Sequence, residues 1–467
     1  MTSENTALRI LHTSDWHLGK RLHGYDRSKE YDYFRDALME AIANEHPDML
    51  LIAGDIFDNV TPTFEAEKYF GKTLNMIRTR HPDLHIVVTS GNHDSGRKIE
   101  NISIYMETCE NLKIVGELPL ICSGENDSVC EPNYEALVYP AYSRDKKLMA
   151  VTAAMPFLTP SVAVKLSLGS PDADYEAMTL KIYQDCLRYI HERFPETRAG
   201  QVPVIAMGHF YVKKTDIGAQ EEGKVSIIGG EGQVDSSIFD GYDYTALGHI
   251  HLRQNIAGSR RIRYSGSPLP INFGELGYDN GIDMVDLIPQ VSEAGKAGFK
   301  ISVHTLPIKR QVQFIRIPRE PRYGSEDEVL QGLQAISSET GLAAREKNPG
   351  GLPFLSVYAE YDPEHTSYPS VTKYREHLDS IMNKLTGSVA RVCDNAVSVK
   401  TSKNAAAGSA SQHIESLNDV ADPMTLAARM FRETNNGAEM PQDLRMLLNE
   451  IIREAEGNQA AAAENAK

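Results

Sequence analysis

Short apolar runs recur through the first half of the chain, and each ends in a polar loop, most of them glycine-bearing. Residues 8–12 lead into Ser14-Asp15-Trp16-His17, 49–53 into Gly54-Asp55, and 85–88 into Gly91-Asn92-His93-Asp94. Further on, 202–206 lead into Gly208-His209 and 244–247 into Gly248-His249-Ile250-His251. Runs of this length, bounded by turn residues, predict strands buried on both faces. Between the first two, residues 29–44 carry Tyr33, Ala37, Leu38, Ala41 and Ile42 on one stripe, which predicts a helix; residues 64–78 predict another. The β-α-β-α alternation predicts an α/β domain with its functional loops at the carboxyl ends of the strands. Residues 122–130, a polar hairpin or loop, and 161–200, with an amphipathic helix over 175–193, read as insertions.

Beyond residue 311 the pattern changes. Strands are predicted at 312–317, 354–361 and 389–392, with helices at 326–337 and 370–385, a small α+β unit without a histidine cluster. Residues 402–412, rich in Ala, Ser and Gly, read as a flexible linker. Two short amphipathic helices follow. The first starts at Asp422-Pro423, and the second carries Leu444, Leu447, Leu448, Ile451 and Ile452 on one stripe. The expected division is therefore 1–308, an α/β domain; 309–400, an α+β cap; 401–421, a linker; and 422–467, a helical tail for a partner.

Apolar residues make up 41% of the 467, enough for a globular core. Asp and Glu number 64 against 48 Lys and Arg, so the net charge is −16. That excludes coating nucleic acid by bulk charge, though a local basic strip still could bind it. Five cysteines without C-x-x-C spacing predict a reduced, cytoplasmic chain rather than a disulfide scaffold. No secretory signal and no run of ~18 apolar residues is present, so no membrane association is expected.

The chemistry sits in the loops. Asp-x-His, Gly-Asp-x-x-Asp, Gly-Asn-His-Asp, Gly-His and Gly-His-x-His follow in order, and each alone is an ordinary turn. Together they gather Asp15, Asp55, Asp58, Asp94, Asn92, His17, His93, His209, His249 and His251 at strand ends. That is more costly polar surface than packing requires. Mixed imidazole, carboxylate and amide donors suit Mn, Fe or Zn, and the lack of thiolates argues against structural zinc. One Asp can bridge two ions ~3.5–4 Å apart, a pair suited to phosphoester cleavage.

On these motifs, and on HTSDWHLGK (12–20), GDIFD (54–58) and YSGSP (264–268), the chain resembles the calcineurin-like metallophosphoesterases, most closely their branch of bacterial nuclease subunits. The resemblance implies a β-sandwich flanked by helices (αββα) and two divalent ions, with manganese the expected metal. It implies Asp15, His17 and His251 on one ion, Asn92, His209 and His249 on the other, and Asp55 bridging them. His93 would stabilise the transition state or protonate the leaving oxygen. Asp94 would support a histidine from behind, while Asp58 has no assigned role. The implied activity is exonuclease and endonuclease cleavage of DNA at ends and hairpins. The implied partners are an SbcC-like ATPase and a second copy of the chain, in a heterotetramer. A phosphoesterase for small phosphorylated molecules is the alternative, and a non-catalytic scaffold ranks below both because no ligand position is missing.

The basic pairs Lys20-Arg21, Arg97-Lys98, Lys213-Lys214 and Arg260-Arg261 each follow a motif. They read either as solvated surface or as a rim that grips phosphates. Residues 218–225 nearly spell a phosphate-binding loop but lack the closing Ser/Thr, and Glu221 and Glu222 would repel phosphate. Trp16, between two expected ligands, reads as a wedge that fixes its loop. His12, His23, His46, His81, His85, His191, His304, His365, His377 and His413 supply no ligand in these motifs.

Overall fold

The computed structural model describes residues 7–104, 111–123, 129–159, 162, 166, 175–216, 233–292, 295–320, 322–339, 351–387 and 389–400. The linker, the tail helices and the near-phosphate loop at 218–225 lie outside the described residues. In chain order the strands are β1 (Leu8–Thr13), β2 (Met49–Ala53), β3 (His85–Thr89), β4 (Leu112–Val115), β5 (Leu120–Ser123), β6 (Val129–Pro132), β7 (Val138–Tyr142), β8 (Leu148–Ala154), β9 (Val204–His209), β10 (Tyr244–Gly248), β11 (Gln254–Ile256), β12 (Ser259–Tyr264), β13 (Gly281–Val291), β14 (Ala297–Pro307), β15 (Phe314–Ile317), β16 (Phe354–Tyr361) and β17 (Arg391–Val399).

Two six-stranded sheets, ordered β14-β13-β1-β2-β3-β4 and β11-β12-β10-β9-β8-β7, pack face to face. β1 to β4 run parallel, which directs the loops after β1, β2 and β3 to one edge of the sandwich. β8, β9 and β10 are also parallel, so the loops after β9 and β10 leave from one edge of the second sheet. The uninterrupted apolar runs are explained by this layering. Ile10, Met49, Leu51 and Val87 face the second sheet. Leu11, Leu50, Ile52, Ile86 and Val88 face outward under the helices Ser28–Glu45 and Phe64–Arg80, which contribute Phe34, Leu38, Ile42, Phe70, Leu74 and Ile77. The second of these helices is well specified locally. Thr63 accepts a cap hydrogen bond from Ala66 N at 3.3 Å, Glu65 and Glu67 occupy the first turn, and Arg78 and Arg80 the last.

The helix Tyr175–Arg193 corrects one expectation. It is not an appendage in an insertion but part of the layer covering the second sheet, burying Ile182, Tyr183, Cys186 and Ile190, with Tyr183 Oη donating to Met207 O at 2.7 Å. The hairpin β13–β14, absent from the sequence expectation, forms the antiparallel edge of the first sheet. Of the segment 122–130, Cys122 lies on β5 and Cys130 on β6, opposite one another in the antiparallel pairing, and the two are joined as a disulfide. That corrects the expectation of fully reduced cysteines: paired opposite one another on antiparallel strands, the two side chains meet. Among the described residues, Cys186 and Cys393 are not in a disulfide. A separate parallel sheet, β15-β16-β17, is covered by the helices Glu326–Glu339 and Val371–Leu385 around Val329, Leu333, Leu355, Val357, Leu378 and Met382. Its last strand runs to Val399, well past the predicted 389–392. Among the described residues, no helix is long and apolar enough to cross a membrane.

Polar groups are buried between the two sheets. Asp283 on β13 accepts from Arg263 Nε at 2.6 Å and from Thr305 Oγ1 at 2.9 Å. His12 on β1 lies fully buried with Nδ1 2.8 Å from Tyr244 Oη on β10, tying the sheets together. Burial holds His12 down at about 4, against a smaller upward pull from Asp283. Its neutral form is therefore native, and the unfolded chain takes up a proton first as the pH falls. The stability this imidazole contributes is complete above about 6.5 and is lost as pH falls toward about 4. The expected slope from this group is up to ~1.4 kcal/mol per pH unit within that window. Urea titrations between pH 7 and pH 4 should show it, and His12→Asn should flatten it; an unchanged slope in the variant would show that His12 is not the group responsible.

Candidate metal centre

Five loops converge at one edge of the sandwich. Those after β1 and β2 are zipped together by Asp15 N to Gly54 O (3.0 Å), His17 N to Asp55 O (3.0 Å) and Leu18 N to Ile56 O (2.9 Å). The loops are tight enough to force unusual backbone. Asp15, His17, Asp55 and His249 all have positive φ, at 55°, 46°, 49° and 95°. Non-glycine residues in this region cost ~1–3 kcal/mol each, strain that typically gathers at functional sites. The glycines answer a different constraint. A β-carbon on Gly91 would lie 2.1 Å from Asp55 Oδ1, and one on Gly54 (φ 81°) 2.2 Å from His209 Nδ1. Trp16 is buried beneath, donating Nε1–H to Thr13 Oγ1 at 3.0 Å and set edge-on to Phe34 and Phe70, as a wedge would be.

Asp55 sits centrally. Its Oδ2 is 3.5 Å from His17 Nε2 and its Oδ1 is 3.4 Å from His209 Nε2. On one side, His17 Nε2 and His251 Nε2 are 3.1 Å apart, and Asp15 lies within the same cluster. On the other, Asn92 Oδ1 is 3.0 Å from both His209 Nε2 and His249 Nδ1. His209 donates Nδ1–H to Ala53 O at 2.9 Å, which leaves Nε2 to face the site as a lone pair or a displaceable proton. The seven expected donors are thus brought together, three on each side of Asp55. Ring nitrogens and carboxylate oxygens at these separations fit divalent metal ions, which would hold apart groups that otherwise crowd one another.

Electrostatics agree with the geometry. Burial by itself raises the Asp55 pKa, but His209 and His17 outweigh it and hold the carboxyl well below the usual range. Burial likewise lowers His209, but Asp55 outweighs it and His209 is pushed up to about 9. His249 is held down at about 3 by burial and by the cationic His209 beside it.

His93 is exposed at the rim, its ring fixed by Nδ1 donating to Asp58 O at 2.9 Å and set 5.0 Å from the His17 ring. Asp94 supports the site differently from expectation. It orients no histidine; its oxygens accept from the backbone N–H of Ile56 (3.0 Å), Phe57 (2.8 Å) and Gly91 (2.8 Å), stitching two motif loops together. Asp58, without a role in the sequence motifs, has Oδ1 3.6 Å from His17 Nδ1 and 3.0 Å from Lys20 Nζ, and it groups with His17 and His93 as a further set that could hold an ion. Glu275 does not stand out in the sequence. It lies 2.9 Å from His251 Nδ1, and only its place in the FGE segment shortly after YSGSP could have signalled it. The basic residues are mostly engaged: Arg97 with Glu117 (3.3 Å), Lys98 with Glu67 (3.6 Å) and Lys213 with Glu176 (2.6 Å), while Arg21 donates to Gly24 O at 2.9 Å.

Residues 8–253 match the calcineurin-like phosphoesterase family, and the chain belongs to it. Over 354 residues it is 31% identical to the SbcD subunit of the SbcCD nuclease from Rhodobacter capsulatus, covering 76% of this chain and 81% of that one. The corresponding protein of Escherichia coli K12 is 29% identical over 60% of this chain and 64% of its own length. That from Bacillus subtilis is 32% identical over 60% and 67%. The chain is thus a metal-dependent hydrolase of phosphoester bonds by family and by donor set.

Because Asp55 faces both sides of the centre, Asp55→Ala should lose metal on both and abolish hydrolysis. Metal analysis after gel filtration checks this, and full metal content with normal turnover would contradict a bridging position.

Proposed function

We propose that this chain is the nuclease subunit of an SbcCD-type complex, cleaving DNA phosphodiester bonds at ends and hairpins as an exonuclease and endonuclease. The observation that carries the reading is the pair of three-donor clusters flanking Asp55, in a chain similar to a named SbcCD nuclease subunit over 76% of its length. In this reading Asp15, His17 and His251 hold one ion, Asn92, His209 and His249 the other, and Asp55 both. Manganese suits the mixed nitrogen and oxygen donors. When bound, the ions supply Lewis acidity toward the phosphoryl oxygens and lower the pKa of water. The chain's own residues do the rest. His93, with Nδ1 committed to the Asp58 carbonyl, presents its other nitrogen for the leaving oxygen. Lys20 beside Asp58, with Arg21, Arg97 and Lys98, receives backbone phosphates. Exposed ion pairs such as Arg97–Glu117 are worth at most ~1 kcal/mol, so they yield readily to a phosphate.

The division of labour along the chain belongs to the same proposal. The sandwich of residues 1–308 carries the chemistry and 309–400 form a cap. The tail at 422–467 docks on an SbcC-like ATPase, whose ATP hydrolysis supports recombination, replication and repair in the cytoplasm. Two copies of each subunit complete a heterotetramer.

Two experiments test it. Purified protein with manganese should cut a labelled hairpin duplex, and His93→Ala should keep its metal yet cut ~10²–10⁴-fold more slowly. Loss of metal from that variant would make His93 a ligand. Turnover confined to small phosphomonoesters would replace the nuclease by a small-molecule phosphoesterase. For the partner, truncation after Thr401 should leave manganese-dependent cleavage near normal but abolish co-purification with the ATPase. Retention of full affinity would refute docking through the tail.

A further inference from the structure

We propose that Glu275 is the positioning residue of the His251 side of the metal centre, held in place by the three-stranded sheet through Phe314. The inference rests on the reading of His251 as a metal ligand. Glu275 is 2% exposed, and one carboxylate oxygen accepts from His251 Nδ1–H at 2.9 Å. That bond fixes both the ring orientation and the tautomer, so that Nε2 presents a lone pair toward His17 Nε2, 3.1 Å away. His17 Nε2 can face that lone pair at this distance only as a donor or with a cation between the two. Rotation of the His251 ring would turn the lone pair away from the site, and Glu275 is what opposes that rotation.

The carboxylate is itself anchored. Its second oxygen accepts from Ile271 N at 2.7 Å, and Asn272 Nδ2 donates to the first at 3.0 Å. Asn272 Oδ1 also accepts from Gly274 N at 2.7 Å, starting the single helical turn Phe273–Gly277 that carries Glu275. A buried carboxylate this well supplied with donors is costly to build unless its position matters.

The turn does not stand alone. Phe273 packs edge-on against Phe314 of β15, ring centroids 5.1 Å apart, and Phe314 packs in turn on Phe354 of β16 at 5.1 Å. Arg310, in the segment entering that sheet, donates to Leu276 O at 2.5 Å. A continuous path of contacts therefore runs from the small sheet to a metal donor. The small sheet contributes no donor to the cluster, yet by seating the turn it sets how strongly that side grips its ion.

The test is manganese binding to the full-length chain, by calorimetry and by electron paramagnetic resonance, alongside thermal melting. Wild type should bind two ions and give the spectrum of an exchange-coupled pair. Glu275→Gln, which keeps size and one acceptor, should bind one ion normally and the other about 10–100-fold more weakly, so that at limiting manganese the six-line signal of an isolated ion appears. Glu275→Ala should weaken the same ion at least as much. Phe314→Ala, which alters no donor, should weaken that ion by a smaller factor with the other unchanged. Wild-type affinity for both ions in folded Glu275→Gln and Glu275→Ala would overturn the positioning role, and wild-type affinity in Phe314→Ala would remove the small sheet from it. Fewer than two ions in the wild type would instead overturn the reading of the site itself.

Discussion

Everything at the active edge depends on one carboxylate shared between two sheets. Asp55 follows β2, in the first sheet, and one of its oxygens faces His17, which follows β1. The other faces His209, at the end of β9 in the second sheet. Buried donors of this kind crowd together only if positive charge lies among them. Without metal the centre supplies that charge as a proton on His209, pushed up to about 9, while His249 beside it stays neutral. Metal ions and protons therefore compete for the same small volume, and ion binding must release the proton. The two sheets are held in register near this volume by groups that do no chemistry, such as His12 against Tyr244.

The constraint explains why the motifs look as they do. A loop that brings a ligand to within reach of Asp55 has no room for a side chain at its neighbour. Gly91 is packed on Asp55 Oδ1 and Gly54 on His209 Nδ1. Asp94 then turns its carboxylate to backbone N–H groups of both loops, giving acceptors to three closely spaced donors that would otherwise be buried without them. Strained φ at Asp15, His17, Asp55 and His249 is offset by this network rather than relieved by glycine, since each of those positions must carry a donor or its hinge.

Much of this was legible in the sequence, for a physical reason. Strands buried on both faces read as unbroken apolar runs, and ligands at their ends stand out against glycine and small polar residues. The runs ending at Asp15, Asp55, Asn92, His209 and His249 were all visible in that way. What was hidden depends on contacts distant in the chain. β13 is buried over its first five positions but carries Asp283 and Asp286 among its apolar residues, and β14 mixes its burial, so neither shows an unbroken run; Lys300 and His304 face solvent beside half-buried Ile301 and Val303. The helix Tyr175–Arg193 looked like an insertion because its partners, such as Met207, lie far along the chain. The Cys122–Cys130 pairing follows from strand register, which spacing alone does not specify.

Glu275 shows the same limit at the scale of one residue. A carboxylate behind a histidine has no motif of its own: it is 24 residues beyond His251, in a turn whose place is set by Phe273 against Phe314. Candidate metal donors are readable from sequence because they sit at strand ends. The groups that aim them can come from any element that packs nearby, and here that element reaches the small sheet. Metal affinity in this fold is then not a property of the sandwich alone. A sheet that supplies no ligand still bears on the centre, because a histidine held from behind by a buried carboxylate is only as fixed as the turn that carries the carboxylate.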